Sequence, residues 1–195
     1  LYWNIFSLYN HVLDGCRAFS DAEIAAVGVD TWGATFALIN RAGQLAEPVF
    51  HYRDMRTAGA LEDMHRLVPA REIFRMTGCQ PTRNYSLPQL FSMARRDEDI
   101  LHTAKALLFL PDLIAYFLGG EISSELSFAG TSALLNDRLD GWCAPLLKAF
   151  GIPARLLTGL VPPGSVKGGL SATAREQTGL GPGTRVVAAC SHDTA

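Results

Sequence analysis

The chain has 195 residues, 48% of them hydrophobic and 18% charged, with 17 Lys and Arg against 19 Asp and Glu. That length buries a real core. The net charge of -2 argues against a basic nucleic-acid footprint or a polybasic membrane anchor, and no apolar run approaches the roughly 20 residues of a membrane-crossing helix. Scattered rather than massed Gly and Pro, together with the apolar share, also exclude disorder.

In chain order, Ile5, Leu8, Tyr9, Val12, Leu13 and Cys16 fall at helical spacing, predicting an amphipathic helix within Leu1–Phe19. The run Ile24–Asp30 reads as a buried strand, Thr35–Ile39 as a second, and Gln44–Tyr52 as a third. Arg41-Ala42-Gly43 turns the second into the third, as a hairpin. A helical middle follows, over Thr57–Leu67, Glu72–Met76 and Ser86–Arg96, with Pro88 tolerated in a first turn. Ala106–Leu110 is predicted as a buried strand. Pro111 opens a helix over Asp112–Leu118, which Gly119-Gly120 ends. Helices are expected over Gly141–Phe150, Ala154–Leu157 and Ala172–Thr178, and a last strand over Arg185–Cys190. Strands alternating with helices predict an α/β sheet with helical insertions. The four cysteines (Cys16, Cys79, Cys143, Cys190) form no C-x-x-C pair and the five histidines no cluster. That pattern reads as reduced thiols in a cytoplasmic protein, with neither a disulfide frame nor a metal centre.

Two segments place polar groups directly after a strand, where ligands of open α/β sheets collect. In Gly28-Val29-Asp30-Thr31-Trp32-Gly33, Gly33 permits close approach of a ligand and Trp32 can wall a pocket; the same residues also suit a turn with a packed Trp. In Cys190-Ser191-His192-Asp193-Thr194, four polar residues suit a polyhydroxy ligand or a helix cap. Adjacent Ser, His and Asp are not a hydrolase triad, whose members come from separate segments. Asp193 is a candidate general base toward an alcohol, or an N-cap. Arg53, Asp54 and Arg56 suit a surface ion pair ahead of a brace for the pocket, His65 and His102 solvated positions, and Trp142 with Leu146 the core. The glycines at 119–120, 164 and 179–183 fit no phosphate cradle and read as turns.

Taken in order, these segments resemble the FGGY family of carbohydrate kinases, most closely its rhamnulokinase branch. The resemblance rests on Gly28–Gly33, Tyr52-Arg53-Asp54-Met55-Arg56-Thr57, Leu110-Pro111-Asp112 with Tyr116 and Leu118-Gly119-Gly120, Leu134-Leu135-Asn136 with Trp142, Gly151-Ile152-Pro153, Val161–Gly164 and Ser191–Ala195. It implies an actin-like, ribonuclease-H-like sugar-kinase N-terminal domain in a two-domain enzyme. That enzyme transfers the γ-phosphoryl of ATP, with Mg2+, to a sugar hydroxyl, in the rhamnulokinase branch the 1-hydroxyl of L-rhamnulose. By position it makes Asp193 the catalytic base and Gly33, His192, Asp193 and Thr194 the sugar-contacting residues. The expected partners are the sugar and ATP, with neither nucleic acid nor membrane. The family's first β-hairpin with its phosphate loop, and the nucleotide-binding domain, have no counterpart in 1–195. The chain is therefore expected to be part of such a domain, inactive and poorly soluble alone, with no ATP contact assignable to it. Tyr85-Ser86-Leu87-Pro88-Gln89 stands where rhamnulokinases carry Asn-Thr-Leu-Tyr-Gln, beside the family's sugar site, which leaves open a fuculose- or xylulose-type kinase. A non-catalytic sugar-binding module of the same fold is the alternative from another class.

Overall fold

Local chemistry sets the ends of the elements in the computed structural model, which describes residues 1–194. Helix α1 (Ile5–Arg17) starts where Asn4 Oδ1 accepts the Ser7 N–H at 3.1 Å, and Arg17 occupies its last turn. Strands β1 (Ala26–Gly28) and β2 (Phe36–Ile39) follow. The helical middle holds α2 (Ala60–Leu67), α3 (Ala70–Thr77), α4 (Ser86–Arg95) and α5 (Asp99–Thr103). Gly78 ends α3 in a left-handed conformation at φ 68°. Strand β3 (Ala106–Phe109) runs into α6 (Leu110–Leu118), with Pro111 in the first turn. Here Gly119 turns at φ 122° so close to its neighbours that a Cβ would stand 2.4 Å from the Ser171 nitrogen. Next come β4 (Ser124–Glu125), α7 (Leu126–Thr131), α8 (Ala144–Ala149), β5 (Leu160–Val161) and β6 (Val166–Gly169). Last are α9 (Ala172–Thr178) and β7 (Arg185–Val187). Ala195, the end of the Ser191–Ala195 segment, lies outside the described residues.

The strands form three small sheets. One has the order β1-β7-β6, with β1 and β7 parallel and β6 antiparallel to β7; β2 pairs antiparallel with β3, and β4 parallel with β5. Two apolar cores flank them. One gathers α2, α4, α7 and α8 around Leu87, Leu90, Phe109 and Phe128; the other gathers α1, α6 and α9 around Leu13, Leu113, Leu118 and Val186. Among the described residues no helix is long and apolar enough to cross a membrane.

Four expectations need correction. The third strand does not form. Residues 44–46 do turn back along β2, with Ala46 N–H bonded to Leu38 O at 2.8 Å and a single bridge at Leu45. Pro48, which has no N–H to donate, follows at once, and pairing resumes only as one bridge from Phe50 to Tyr2. Strand β1 is shorter than the apolar run and largely exposed, because only one of its edges is paired, by β7. An open apolar groove of about 470 Å³ lies beside it, lined by Val12, Phe19, Ile24, Val27 and Val29 among others. Arg56 is not half of a surface ion pair. Its guanidinium lies 3.6 Å from the centre of the Phe50 ring and donates to Gln89 Oε1 at 3.2 Å, while Asp54 Oδ1 caps the following turn through Arg56 N–H at 2.8 Å. His65 is half-buried rather than solvated; His102 is exposed and meets Asp97 at 3.0 Å.

Candidate active site

Parallel pairing of β1 with β7 carries the two polar turns to the same end of the sheet. Thr31 N–H donates to Ser191 O at 3.1 Å, and Asp193 N–H donates back to Thr31 O at 3.0 Å. The pairing thus continues past both strands as one parallel bridge between Thr31 and His192. Gly33 then passes under the His192 ring. A Cβ at Gly33 would lie 2.4 Å from His192 Nε2, so the approach requires glycine for space rather than for its φ. Its neighbour Ala34 is held at φ 65°, a left-handed conformation that costs an L residue about 1–2 kcal/mol. Gln89 Nε2 donates to Ala34 O at 2.7 Å and holds it there.

A cavity of about 400 Å³ opens beside this contact, lined by Trp32, Gly33, Tyr52, Asn84, His192 and Thr194 with Ala34, Thr82, Tyr85 and Thr131. The size suits a small ligand, and mixed aromatic and polar walls suit a sugar. The Asn84 side-chain oxygen is buried in this wall with no hydrogen-bond partner among the described residues. Trp32 is fixed by its own Nε1–H, which donates to Thr35 Oγ1 at 3.0 Å, and by the Trp3 ring 4.4 Å away. Thr194 N–H donates to His192 Nδ1 at 3.1 Å. An amide is always a donor, so Nδ1 is unprotonated and the neutral ring carries its proton on Nε2. The 3.4 Å approach of Asp193 Oδ1 to the same Nδ1 is therefore no ion pair. The Asp193 side chain is 54% exposed. It stands on the turn between two cavity-lining residues without forming part of the wall.

Behind the turn lies a buried charged network. Glu125 Oε2 accepts Ser191 Oγ–H at 2.6 Å and Ser191 N–H at 3.3 Å, and the same carboxylate caps α7 through Ser127 and Phe128. Glu125 N–H in turn donates to Asp112 Oδ1 at 3.2 Å, and Asp112 pairs with Lys167 Nζ at 2.6 Å. Lys167 also donates to Ser123 O at 3.1 Å. Glu125, Asp112, Lys167 and Ser191 are each at most 3% exposed. Burial pushes the Asp112 carboxyl up to about 6, against the pull of Lys167. Burial also works to raise Glu125, but the hydrogen bonds from Ser127, Ser191 and Phe128 outweigh it and hold that carboxyl below its usual range.

Of the residues singled out in the sequence, Gly33, His192 and Thr194 meet in one cavity and Asp193 stands at its side. Asp30 falls elsewhere, in the groove beside β1. Asn84, Thr82 and Tyr85 enter the cavity from the 77–90 stretch that departs from the rhamnulokinase pattern. Thr131, Glu125 and Lys167 carried no signal of their own. Among the described residues, no cluster of three His, Cys, Asp or Glu is arranged to hold a metal ion.

The sequence profile of the FGGY family of carbohydrate kinases, N-terminal domain, matches residues 4–195. A rhamnulokinase of Bacteroides thetaiotaomicron is 35% identical over 195 residues, covering 99% of this chain and 40% of the relative. An L-fuculokinase of Escherichia coli is 30% identical over 196 residues, covering 98% and 41%. A solved xylulose kinase from Lactobacillus acidophilus superposes with a TM-score of 0.88 at 16% identity, over 97% of this chain and 39% of that one. A carbohydrate kinase from Novosphingobium aromaticivorans gives 0.84 at 25% identity, over 99% and 41%. The chain thus spans about 40% of the length of the relatives it matches, and its fold is the actin-like, ribonuclease-H-like one expected. With the profile running through both turns that build the cavity, the chain belongs to the FGGY family of carbohydrate kinases, within their N-terminal domain.

Proposed function

We propose that the protein carrying this chain is a cytoplasmic, ATP-dependent ketose kinase that phosphorylates the 1-hydroxyl of L-rhamnulose. The observation that carries this reading is the meeting of Gly33, His192 and Thr194 in one cavity of about 400 Å³, with the Asp193 carboxylate on the same turn. Phosphoryl transfer to an alcohol asks the protein mainly to position the acceptor and to take up its proton. Asp193 fills the second role, since its carboxylate is half-exposed on the turn between two cavity-lining residues. His192, as an Nε2–H donor, and the unpartnered Asn84 oxygen, as an acceptor, supply complementary contacts for sugar hydroxyls. ATP and its divalent metal would supply the phosphoryl group and neutralise its charge. Among the described residues no contact to either is assigned, and none forms a cluster of three His, Cys, Asp or Glu for a metal ion.

The L-fuculokinase relative supports a second reading, a kinase for L-fuculose. The two are separated by offering L-rhamnulose, L-fuculose and D-xylulose with MgATP to the full-length protein and following ADP release. Asp193→Ala should lower turnover on the preferred sugar by about 10²–10⁴-fold. Near-wild-type turnover removes Asp193 from the role of base, and no ADP release with any sugar turns the reading toward a non-catalytic binding module.

A further inference from the structure

We propose that Glu125 is the positioning residue for Asp193: it fixes Ser191, and through Ser191 the placement of the turn that carries the base. This rests on the reading of Asp193 given above. A carboxylate capping a six-residue helix needs only the bonds from Ser127 and Phe128. Glu125 makes two more, to the hydroxyl and the amide of Ser191, 66 residues away. Ser127 Oγ adds a third contact to the Ser191 amide at 3.1 Å. Ser191 O meanwhile receives Thr31 N–H on the opposite side, so the residue is gripped from both flanks, two positions before Asp193.

Glu125 is itself immobilised by groups from two other segments. Its N–H is bonded to Asp112 on α6, Asp112 to Lys167 on β6, and Lys167 back to Ser123 beside it. If packing were the only demand, apolar side chains of similar volume would serve at least as well as buried charges. What charges add is direction: each bond has a required donor and acceptor geometry, and a shift of about 1 Å in a catalytic group costs about 100-fold in rate. Asp193 bears none of this load through its own side chain: Thr194 Oγ1 donates to its Oδ1 at 3.3 Å, and its Oδ2 is left for the hydroxyl of the sugar.

The test compares Glu125→Gln and Ser191→Ala with wild type in the full-length protein. Hydrogen exchange of the Ser191 and Asp193 amides is read beside that of β2 and β3, and kcat and KM beside both. Loss of one charge-assisted bond should speed exchange at residues 191 and 193 by about tenfold or more, and leave β2 and β3 within about twofold. In Glu125→Gln, kcat should fall by about 100-fold while KM for ATP stays within about twofold; Ser191→Ala should fall between it and wild type. Glu125→Asp, which keeps the charge, should recover part of the loss.

Exchange at 191 and 193 unchanged, exchange raised equally throughout the fold, or kcat per folded molecule near wild type would each overturn the proposal. If Glu125→Gln does not fold, Ser191→Ala alone decides on the same readouts. If the wild-type protein phosphorylates no sugar, the kinase reading has failed separately, and the exchange pattern still supports or overturns the anchoring of the turn.

Discussion

The turn 191–194 is held on its two flanks by opposite means. On the Thr31–Gly33 flank the grip is backbone hydrogen bonds and bare space, where a missing Cβ lets the His192 ring settle against the chain. On the Glu125 flank the grip is charge, three ionisable side chains taken almost wholly out of water. The first arrangement carries no desolvation cost, but an added atom displaces the His192 ring. The second is costly to bury and directional, so it tolerates changes of shape better than changes of charge. A functional turn fixed in both ways has its position set by sterics and its orientation set by electrostatics.

Substitutions can break that comparison, and the largest effect belongs to the charged flank. Lys167→Ala should destabilise the protein by about 3–5 kcal/mol, because it strands a buried Asp112 carboxylate. Replacing both partners, by Lys167→Met with Asp112→Leu, should recover part of that in thermal denaturation, the rest going to the Glu125 N–H and Ser123 O left without partners; a single change as mild as a surface one would refute the contrast. On the steric flank, Gly33→Ala should cost less, about 1–3 kcal/mol, as the ring yields to a Cβ. On the proposed function the displaced ring loses one sugar contact, so KM for the sugar should rise by about tenfold; an unchanged KM would mean that His192 moves without consequence.

A third effect separates the flanks by pH. Asp112 has its folded-state value raised to about 6 from an ordinary value near 4, so the folded state binds its proton more tightly than the unfolded. Its contribution is therefore most favourable below about pH 4 and is lost as pH rises through about 6. Lys167 and Glu125 face it from β6 and β4. Asp112→Asn should flatten stability between pH 4 and 6, whereas Gly33→Ala should leave that slope intact, as measured by midpoints of denaturation across the range. The smallest effect is expected away from both flanks. Arg75→Ala, which removes an exposed i,i+3 pair with Glu72, should change stability by less than about 0.5 kcal/mol.

Much of this architecture was legible because local chemistry agreed with the final packing. Pro111 and Gly119 bracket α6 where the punctuation places them, and α9 keeps its expected bounds, Ala172–Thr178. The same is true of the site's steric flank, since both polar turns directly follow apolar strands. Burial of β1 was misread because an apolar run records what a strand can bury, not what lies against it. The strand over 44–52 was misread because one proline outweighs its β-branched and aromatic neighbours. Glu125 was illegible for a different reason. Within Ser-Ser-Glu-Leu-Ser it looks like any helix-capping residue, and its meaning depends on partners 13 and 66 positions away.

The parallel pairing of β1 with β7 also sets an order of events during synthesis. Ile24 meets Thr184 across 160 residues, and the pairing from Ala26 to Gly28 awaits Arg185 to Val187. At ribosomal speeds that separation is a delay of roughly 8–32 s, in which β1 has no partner and its apolar neighbours lie open. The helical middle and the β2–β3 pair have all their residues in hand long before. The helical middle thus has its partners before the cavity between Gly33 and His192 can close, and a ribosome halted before residue 185 holds that core without the turn 191–194.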